Sequence, residues 1–248
     1  MADNDSPAPA ASSTRKRAEQ LAEEIETRIL ADGWLVGEMI GSEAALIEQY
    51  NVSRGVLREA IRLLEHHGSA QMRRGPGGGL FITPPELSAV SRSAALYLRF
   101  RKVDISQLVI ARRTLELNNL ELVGQRIRDP RVISQLKRVL DAEISEATTE
   151  GSTRYLRGFH LALADLADNP VMGLFTEICM SLQNEFVTEA KGARREKSSL
   201  AEDAAQSHKA HAAIYEALIN GDIERARKRM ERHLDAIGRY TIDNVASH

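Results

Sequence analysis

Two sets of side chains in this sequence could do chemistry by type and spacing. The first is Arg54, Arg58 and Arg62, at i, i+4 and i+8. On a helix that spacing lines three guanidinium groups along one stripe. Val56, Leu57, Ala60, Ile61 and Leu64 fall on the opposite, apolar face, and Ser53 stands where an N-cap belongs. A capped helix with arginines outward suits the major groove of DNA, where Arg bonds bidentately to guanine or phosphate. Arg73 and Arg74 bring two more cations beside Gly75-Pro76-Gly77-Gly78-Gly79. A glycine such as Gly78 lets backbone approach a phosphate or enter a minor groove. The plainer reading is a solvated face, with Glu59 and Glu65 as pairing partners.

The second set is histidine. Five of the seven lie in the C-terminal half, at 160, 208, 211, 233 and 248. His160, His211 and His233 fall on three different predicted helices, each in a mostly apolar setting. Imidazoles from separate helices can converge in a bundle core and hold Zn²⁺ or Ni²⁺. Three unrelated core or surface histidines would give the same pattern. His208 is either an outer partner of His211 or a surface residue, and the terminal His248 is expected to be inert. No His-Glu-x-x-His or Glu-x-x-His occurs, so neither a zinc protease nor a di-iron bundle is indicated. With no carboxylate base adjacent to any histidine, a hydrolytic or lyase metal enzyme ranks last among the readings. Cys179, between Ile178 and Met180, reads as a small core residue. The glycine run lacks the Lys-Ser/Thr ending of a phosphate-binding loop.

Positioning these residues requires mostly α structure. Residues 1–14 are low-complexity and read as a disordered tail. Helices follow at about 15–31, 43–49 and 53–67, then a two-stranded hairpin over 71–74 and 80–83. Pro84-Pro85 marks the domain boundary. Beyond it, Asp129-Pro130, Asn169-Pro170 and Gly221-Asp222 punctuate about seven helices, expected near 86–101, 104–127, 130–149, 153–167, 170–191, 199–220 and 222–243. Short connections between such lengths suit an antiparallel bundle over 84–248.

Residues 18–83 resemble the winged helix-turn-helix of GntR-family bacterial transcription regulators. The resemblance rests on Val52-Ser53-Arg54, three residues, Arg58-Glu59-Ala60, and Leu64-Glu65 before Gly68. Arg73-Arg74-Gly75 through Gly79-Leu80-Phe81-Ile82 fits the wing. It implies that Arg54 and Arg58 contact DNA and that a wing glycine approaches the minor groove. Val36-Gly37 replaces the family's Pro-Gly, and Ala44 stands where the second helix often has an arginine.

Residues from about 86 to 243 are similar to the all-helical FCD ligand-binding domain of the FadR-type subfamily. Arg112-Arg113-Thr114-Leu115-Glu116, Phe159-His160, Asp168-Asn169-Pro170, His211, Gly221-Asp222 and His233-Leu234 carry that likeness. In the family three histidines and an aspartate hold a metal, and a carboxylate effector binds on or beside it. His160, His211 and His233 take the histidine positions, but the aspartate position is Leu156. The resemblance therefore implies a weakened metal site, or an organic-acid pocket without metal. Arg112 falls at the family's effector-clamping arginine, with an ordinary surface arginine as the alternative. The resemblance also implies a homodimer on a palindromic operator, most simply a repressor released by a small organic acid. A constitutive dimeric DNA-binding protein is the second reading.

The 248-residue chain is 43% hydrophobic, 27% charged and 4% aromatic, which favours a helical globular protein. One cysteine excludes an internal disulfide framework. Neither a leader nor about 18 uninterrupted apolar residues occurs, so a cytoplasmic location without membrane contact is expected. The formal net charge is -2, and residues 15–83 hold ten acids against nine Lys and Arg. That balance does not exclude DNA when the cations are concentrated on one helix and one hairpin. It implies a small phosphate footprint and dependence on base contacts and dimerisation.

Overall fold

A computed structural model describes the backbone of residues 9–85, 87–147, 156–191 and 197–246. The chain divides by contact into Met1–Val90 and Ser91–His248.

The first unit runs α1 (Pro9–Ala31), β1 (Met39–Gly41), α2 (Glu43–Tyr50), α3 (Arg54–His67), β2 (Ala70–Arg73) and β3 (Gly79–Ile82). Residues 9–14, expected in a disordered tail, form the first turns of α1 instead. Their alanines favour helix even without an apolar stripe. Residues 1–8 of that tail lie outside the described residues. Further along, Ala18, Leu21, Ala22, Ile25 and Ile29 bury one face of α1 in a core with Leu46, Leu57, Ala60, Leu64 and Leu80. Ser42 Oγ accepts from Ala45 N at 3.2 Å to start α2, and Asn51 ends it in the left-handed region at φ 46°. Ser53 Oγ accepts from Val56 N at 3.3 Å to start α3, and Gly68 stops it at φ 75°.

The expected two-stranded hairpin is a three-stranded antiparallel sheet in the order β1-β3-β2. β1 pairs Met39 with Phe81, and β2 pairs Arg73 with Gly79 and Ala70 with Ile82. At the hairpin tip Gly78 N donates to Gly75 O at 2.9 Å around Pro76 and Gly77, whose φ of +75° fits position three of a type II turn.

Among the described residues seven helices follow, close to the expected bounds: α4 (Leu87–Phe100), α5 (Ile105–Arg126), α6 (Pro130–Ala147), α7 (Leu156–Leu166), α8 (Pro170–Lys191), α9 (Lys197–Ile219) and α10 (Ile223–Ala246). α4 straddles the division between the units. The punctuation works as read. Asn169 Oδ1 accepts from Met172 N at 3.2 Å, and Asp222 Oδ1 accepts from Arg225 N at 3.0 Å after Gly221 at φ 73°. Phe159, Leu120, Leu136, Leu163, Leu218 and Met230 centre the second core. α5 packs against α7, α8 and α10. Asn119–Thr176 and Arg112–Gln183 hydrogen bonds show α5 and α8 to be antiparallel. Arg227–Glu121 and Arg113–Asp235 ion pairs do the same for α5 and α10.

Candidate functional site

The arginine stripe forms as expected. Val56, Leu57, Ala60, Ile61 and Leu64 are buried under α3, while Arg54, Arg58 and Arg62 are exposed. Arg58, Arg62, Arg73, Arg74 and Gly78 line one cleft between α3 and the hairpin. Glu65 Oε1 accepts from Met72 N at 3.1 Å, tying the helix to β2. The Arg73 guanidinium lies 4.4 Å over the Phe81 ring. Ser53 Oγ is committed to its cap. Gly78 has a structural reason to be glycine: a Cβ there would stand 2.5 Å from Arg73 O and 2.8 Å from Gly75 O.

One residue of this face was not anticipated. Glu43 Oε1 stands 3.5 Å from Arg54 Nε and 3.6 Å from Arg58 Nε. Arg62 Nη1 donates to Glu59 Oε2 at 3.0 Å. Exposed pairs of this kind contribute ~0–1 kcal/mol, so they do not withhold the arginines from a phosphate or a base. They do explain how a stripe of arginines coexists with a near-neutral balance.

In the second unit three helices deliver one histidine each: α7 His160, α9 His211 and α10 His233, all buried. Their Nε2 atoms converge. His211 lies 2.9 Å from His233 and 3.2 Å from His160, and His233 lies 3.3 Å from His160. Two imidazole nitrogens bound to one ion at ~2.0–2.1 Å stand about 3.0–3.4 Å apart, so the cluster has the spacing of a facial metal set. The Phe159 ring stacks on His211 at 4.6 Å between centroids.

Carboxylates orient the rings from behind, contrary to the expectation that none lay near. His160 Nδ1 bonds to Glu116 Oε2, and His211 Nδ1 bonds to Glu143 Oε1 at 2.8 Å. A proton held at Nδ1 leaves the Nε2 lone pair facing the centre, as a metal ligand requires. His208, between the surface and the core, reaches Glu143 Oε2 at 3.0 Å and is an outer partner. The position of the missing aspartate, Leu156, is the first residue of α7. Glu116 and Glu143 do not replace it, because their oxygens face Nδ1 atoms and not the centre. His248 lies outside the described residues.

Electrostatics agree with this assignment at Glu116 and at the His211 and His233 rings. Burial pushes the Glu116 carboxyl up, but His160 and Arg112 beside it reverse the effect and bring it to about 2. Burial lifts Glu143 to about 7, against the opposing bond from His208. Burial, then His160 and His211, lower His233 to about 2, and burial with His160 holds His211 well below the usual imidazole value. The latter two rings are neutral at pH 7, the form that binds a cation.

Arg112 is buried, which removes the surface alternative. Nε donates to Glu116 Oε1 at 2.5 Å and Nη1 to Gln183 Oε1 at 2.8 Å, while Gln183 Nε2 donates to Thr241 Oγ1 at 2.5 Å. Part of the fork expected to clamp an effector is thus committed to holding Glu116. The histidines and Arg112 open on a cavity of about 930 Å³ between α5, α7, α8, α9 and α10. Its other lining residues, which sequence reasoning missed, include Gln183, Lys209, Arg229, Arg232, Tyr240 and Thr241. The helical spacing of Arg229, Arg232, His233, Ala236, Ile237 and Tyr240 was a signal that could have found them.

A winged helix-turn-helix followed by an all-helical unit with a ligand-sized cavity is the architecture of a DNA-binding regulator with a sensory domain. Residues 17–81 match the family model described as bacterial regulatory proteins, gntR family, and residues 107–236 match that of the FCD domain. The chain belongs to the GntR family, in the FadR-type branch that carries an FCD domain. It is 29% identical to the HTH-type transcriptional regulator LutR of Bacillus subtilis, over 84% of this chain and 95% of LutR. It is 24% identical to the HTH-type transcriptional repressor NanR of Enterobacter sp., over 90% of this chain and 84% of NanR. The fold is similar to Streptococcus agalactiae GntR, with a TM-score of 0.61, 23% identity, and 90% and 99% of the two chains covered. The family and these relatives are transcription regulators, not enzymes. Among the described residues no helix is long and apolar enough to cross a membrane.

Proposed function

We propose that this regulator is an effector-responsive, sequence-specific repressor that binds a palindromic operator as a homodimer in the cytoplasm and is released by a small carboxylate. The observation that carries the reading is the convergence of His160, His211 and His233 in the wall of a cavity lined by cations. Their three Nε2 atoms would hold a divalent ion, Zn²⁺ or Ni²⁺. Such an ion supplies a Lewis-acidic centre with positions left for water or an effector carboxylate. Arg112 supports it by holding Glu116 and offers its remaining nitrogen to the effector. On the DNA side Arg54, Arg58 and Arg62 read the major groove and Arg73 and Arg74 hold phosphates. Ser53 and Gly78 act by shaping the backbone that presents them.

Dimerisation is supported by the exposed apolar stripe of α4, where Leu96, Tyr97 and Phe100 are 73%, 56% and 81% exposed. Two winged helices spaced by a dimer read two half-sites one helical turn apart. An effector regulates only if it binds one arrangement better than the other; ~1–3 kcal/mol of coupling would change operator affinity about 5–150-fold.

The test uses operator duplex selected from random sequence by the full-length protein. Its affinity is measured by fluorescence anisotropy with Zn²⁺ and a panel of small carboxylates. At least one acid should weaken binding in the wild type and not in His160→Ala. An operator affinity that no acid changes would favour the constitutive binder.

A further inference from the structure

The cavity holds more positive charge than a monocarboxylate can answer. Lys209, Arg229 and Arg232 line it, Arg229 half-buried and the other two exposed, and no Asp or Glu lines it among the described residues. Arg112 also lines it, but its charge is met by Glu116. Arg229, Arg232 and Lys209 have no carboxylate within 4.0 Å among the described residues. Arg229 is half-buried and is held in place through Nη1 on Ala213 O, a neutral acceptor that leaves its charge unanswered. It stands four residues before His233, one turn or ~6 Å along α10. The lining continues on α10 to Thr241, so the cavity extends over ~18 Å of that helix, far beyond a small monoacid. Ala213 O is a neutral acceptor, so an anion entering the cavity is the charge partner that the half-buried Arg229 lacks, with the exposed Lys209 and Arg232 beside it.

We infer that the effector carries at least two acidic groups: one at the histidine and Arg112 end of the cavity, the second held by Arg229 with Lys209 and Arg232. This inference rests on the carboxylate-effector reading above and sharpens it to a class, dicarboxylates or phosphorylated acids. Both sources place a second anion one to two helical turns from the histidines, and Arg229 is the residue that distinguishes them from monoacids.

The experiment compares matched pairs on the full-length protein with Zn²⁺ present: butyrate against succinate, hexanoate against adipate, and glycolate against phosphoglycolate. Calorimetric affinity and thermal shift are the readouts. At least one two-anion member should bind tenfold or more tighter than its monoacid. Arg229→Gln should erase that ratio without changing monoacid affinity, and Arg229→Lys should keep most of it. The succinate and phosphoglycolate arms separate carboxylate from phosphate as the second group. Equal affinity within every pair overturns the second anion site while leaving the carboxylate reading intact. Loss of monoacid and diacid binding alike in a folded Arg229→Gln also overturns it. Should Arg229→Gln not fold, the wild-type pairs decide alone. Binding of none of the six acids, with no effect on operator affinity, overturns both readings.

Discussion

Replacing Glu116 with glutamine tests the histidine cluster through the residue that holds it from behind. Glu116 is 1% exposed and binds His160 Nδ1 and Arg112 Nε at once. Its carboxyl falls from 4.5 to about 2. At ~1.4 kcal/mol per tenfold change in proton affinity, the charged form stabilises the fold by roughly 3 kcal/mol near neutral pH. Breaking a buried ion pair by removing one partner costs ~3–5 kcal/mol, an independent figure of the same size. Because the folded value is depressed, this stability is complete above about pH 5 and is lost as pH falls from 4.5 toward 2.

Glutamine keeps the shape, and its Oε1 can still accept from Arg112. Its amide then faces His160 Nδ1 with a donor. Relief requires the other tautomer of His160, which places the proton on Nε2 and aims it at the centre. The variant should therefore lose stability and metal affinity together. Roughly 3–4 kcal/mol corresponds to a Tm lowered by about 6–15 °C for a unit of this size. Disturbing such an outer partner weakens metal binding ~10–100-fold. Differential scanning calorimetry of the full-length protein reads the first, on whichever transition Zn²⁺ raises, and titration with Zn²⁺ reads the second. A Tm within ~2 °C of wild type with unchanged Zn²⁺ affinity would refute the assignment of Glu116 as the group that sets the tautomer.

Arg58→Ala should weaken operator binding by ~1–3 kcal/mol, about 5–150-fold, if its fork reads a base pair; unchanged anisotropy in a folded variant would remove it from the interface. Gly78→Ala should lower operator affinity by distorting the wing, because its Cβ meets Arg73 O and Gly75 O, while Zn²⁺ binding in the helical unit stays as in wild type. Lowering the pH from 7.5 to 5.5 should cost less Zn²⁺ affinity than the ~1000-fold expected of three ordinary imidazoles. The fold already keeps His211 and His233 neutral there, since burial depresses both, so protons do not compete at those two rings. A full thousandfold loss, measured with a buffered metal indicator, would show the rings to be unperturbed.

The helical half was legible because its turns are spelled out in residues with narrow backbone preferences. Asp129-Pro130, Asn169-Pro170 and Gly221-Asp222 each fix an end, and the bounds of α6, α8 and α10 follow. β1 was not legible: three residues with no alternation hold their place only by pairing with β3. The three histidines were visible as polar residues in apolar helical settings. Their convergence was not, since nothing local brings positions 160, 211 and 233 together. Glu116 and Glu143 lie 44 and 68 residues from the imidazoles they orient. Both are acids among buried leucines, Glu116 beside Leu117 and Glu143 one turn from Leu140, and that setting is their signal in the sequence. The partner of each is a tertiary fact.

The Leu156 departure changes meaning once the charges are placed. With no carboxylate in that position, the centre consists of three imidazoles, two of them held neutral, and the negative charge of Glu116 is cancelled by Arg112. A divalent ion bound there would keep its full charge, in a cavity whose wall already carries Arg229. Such an ion would be held weakly by the protein alone, and an anion would be drawn by ion and wall together. Each ligand would improve the site for the other, and linkage would make the two improvements equal. On the proposed function, loss of one ligand would thereby tie metal occupancy to the effector, and a site weakened for metal would remain a site for sensing an acid.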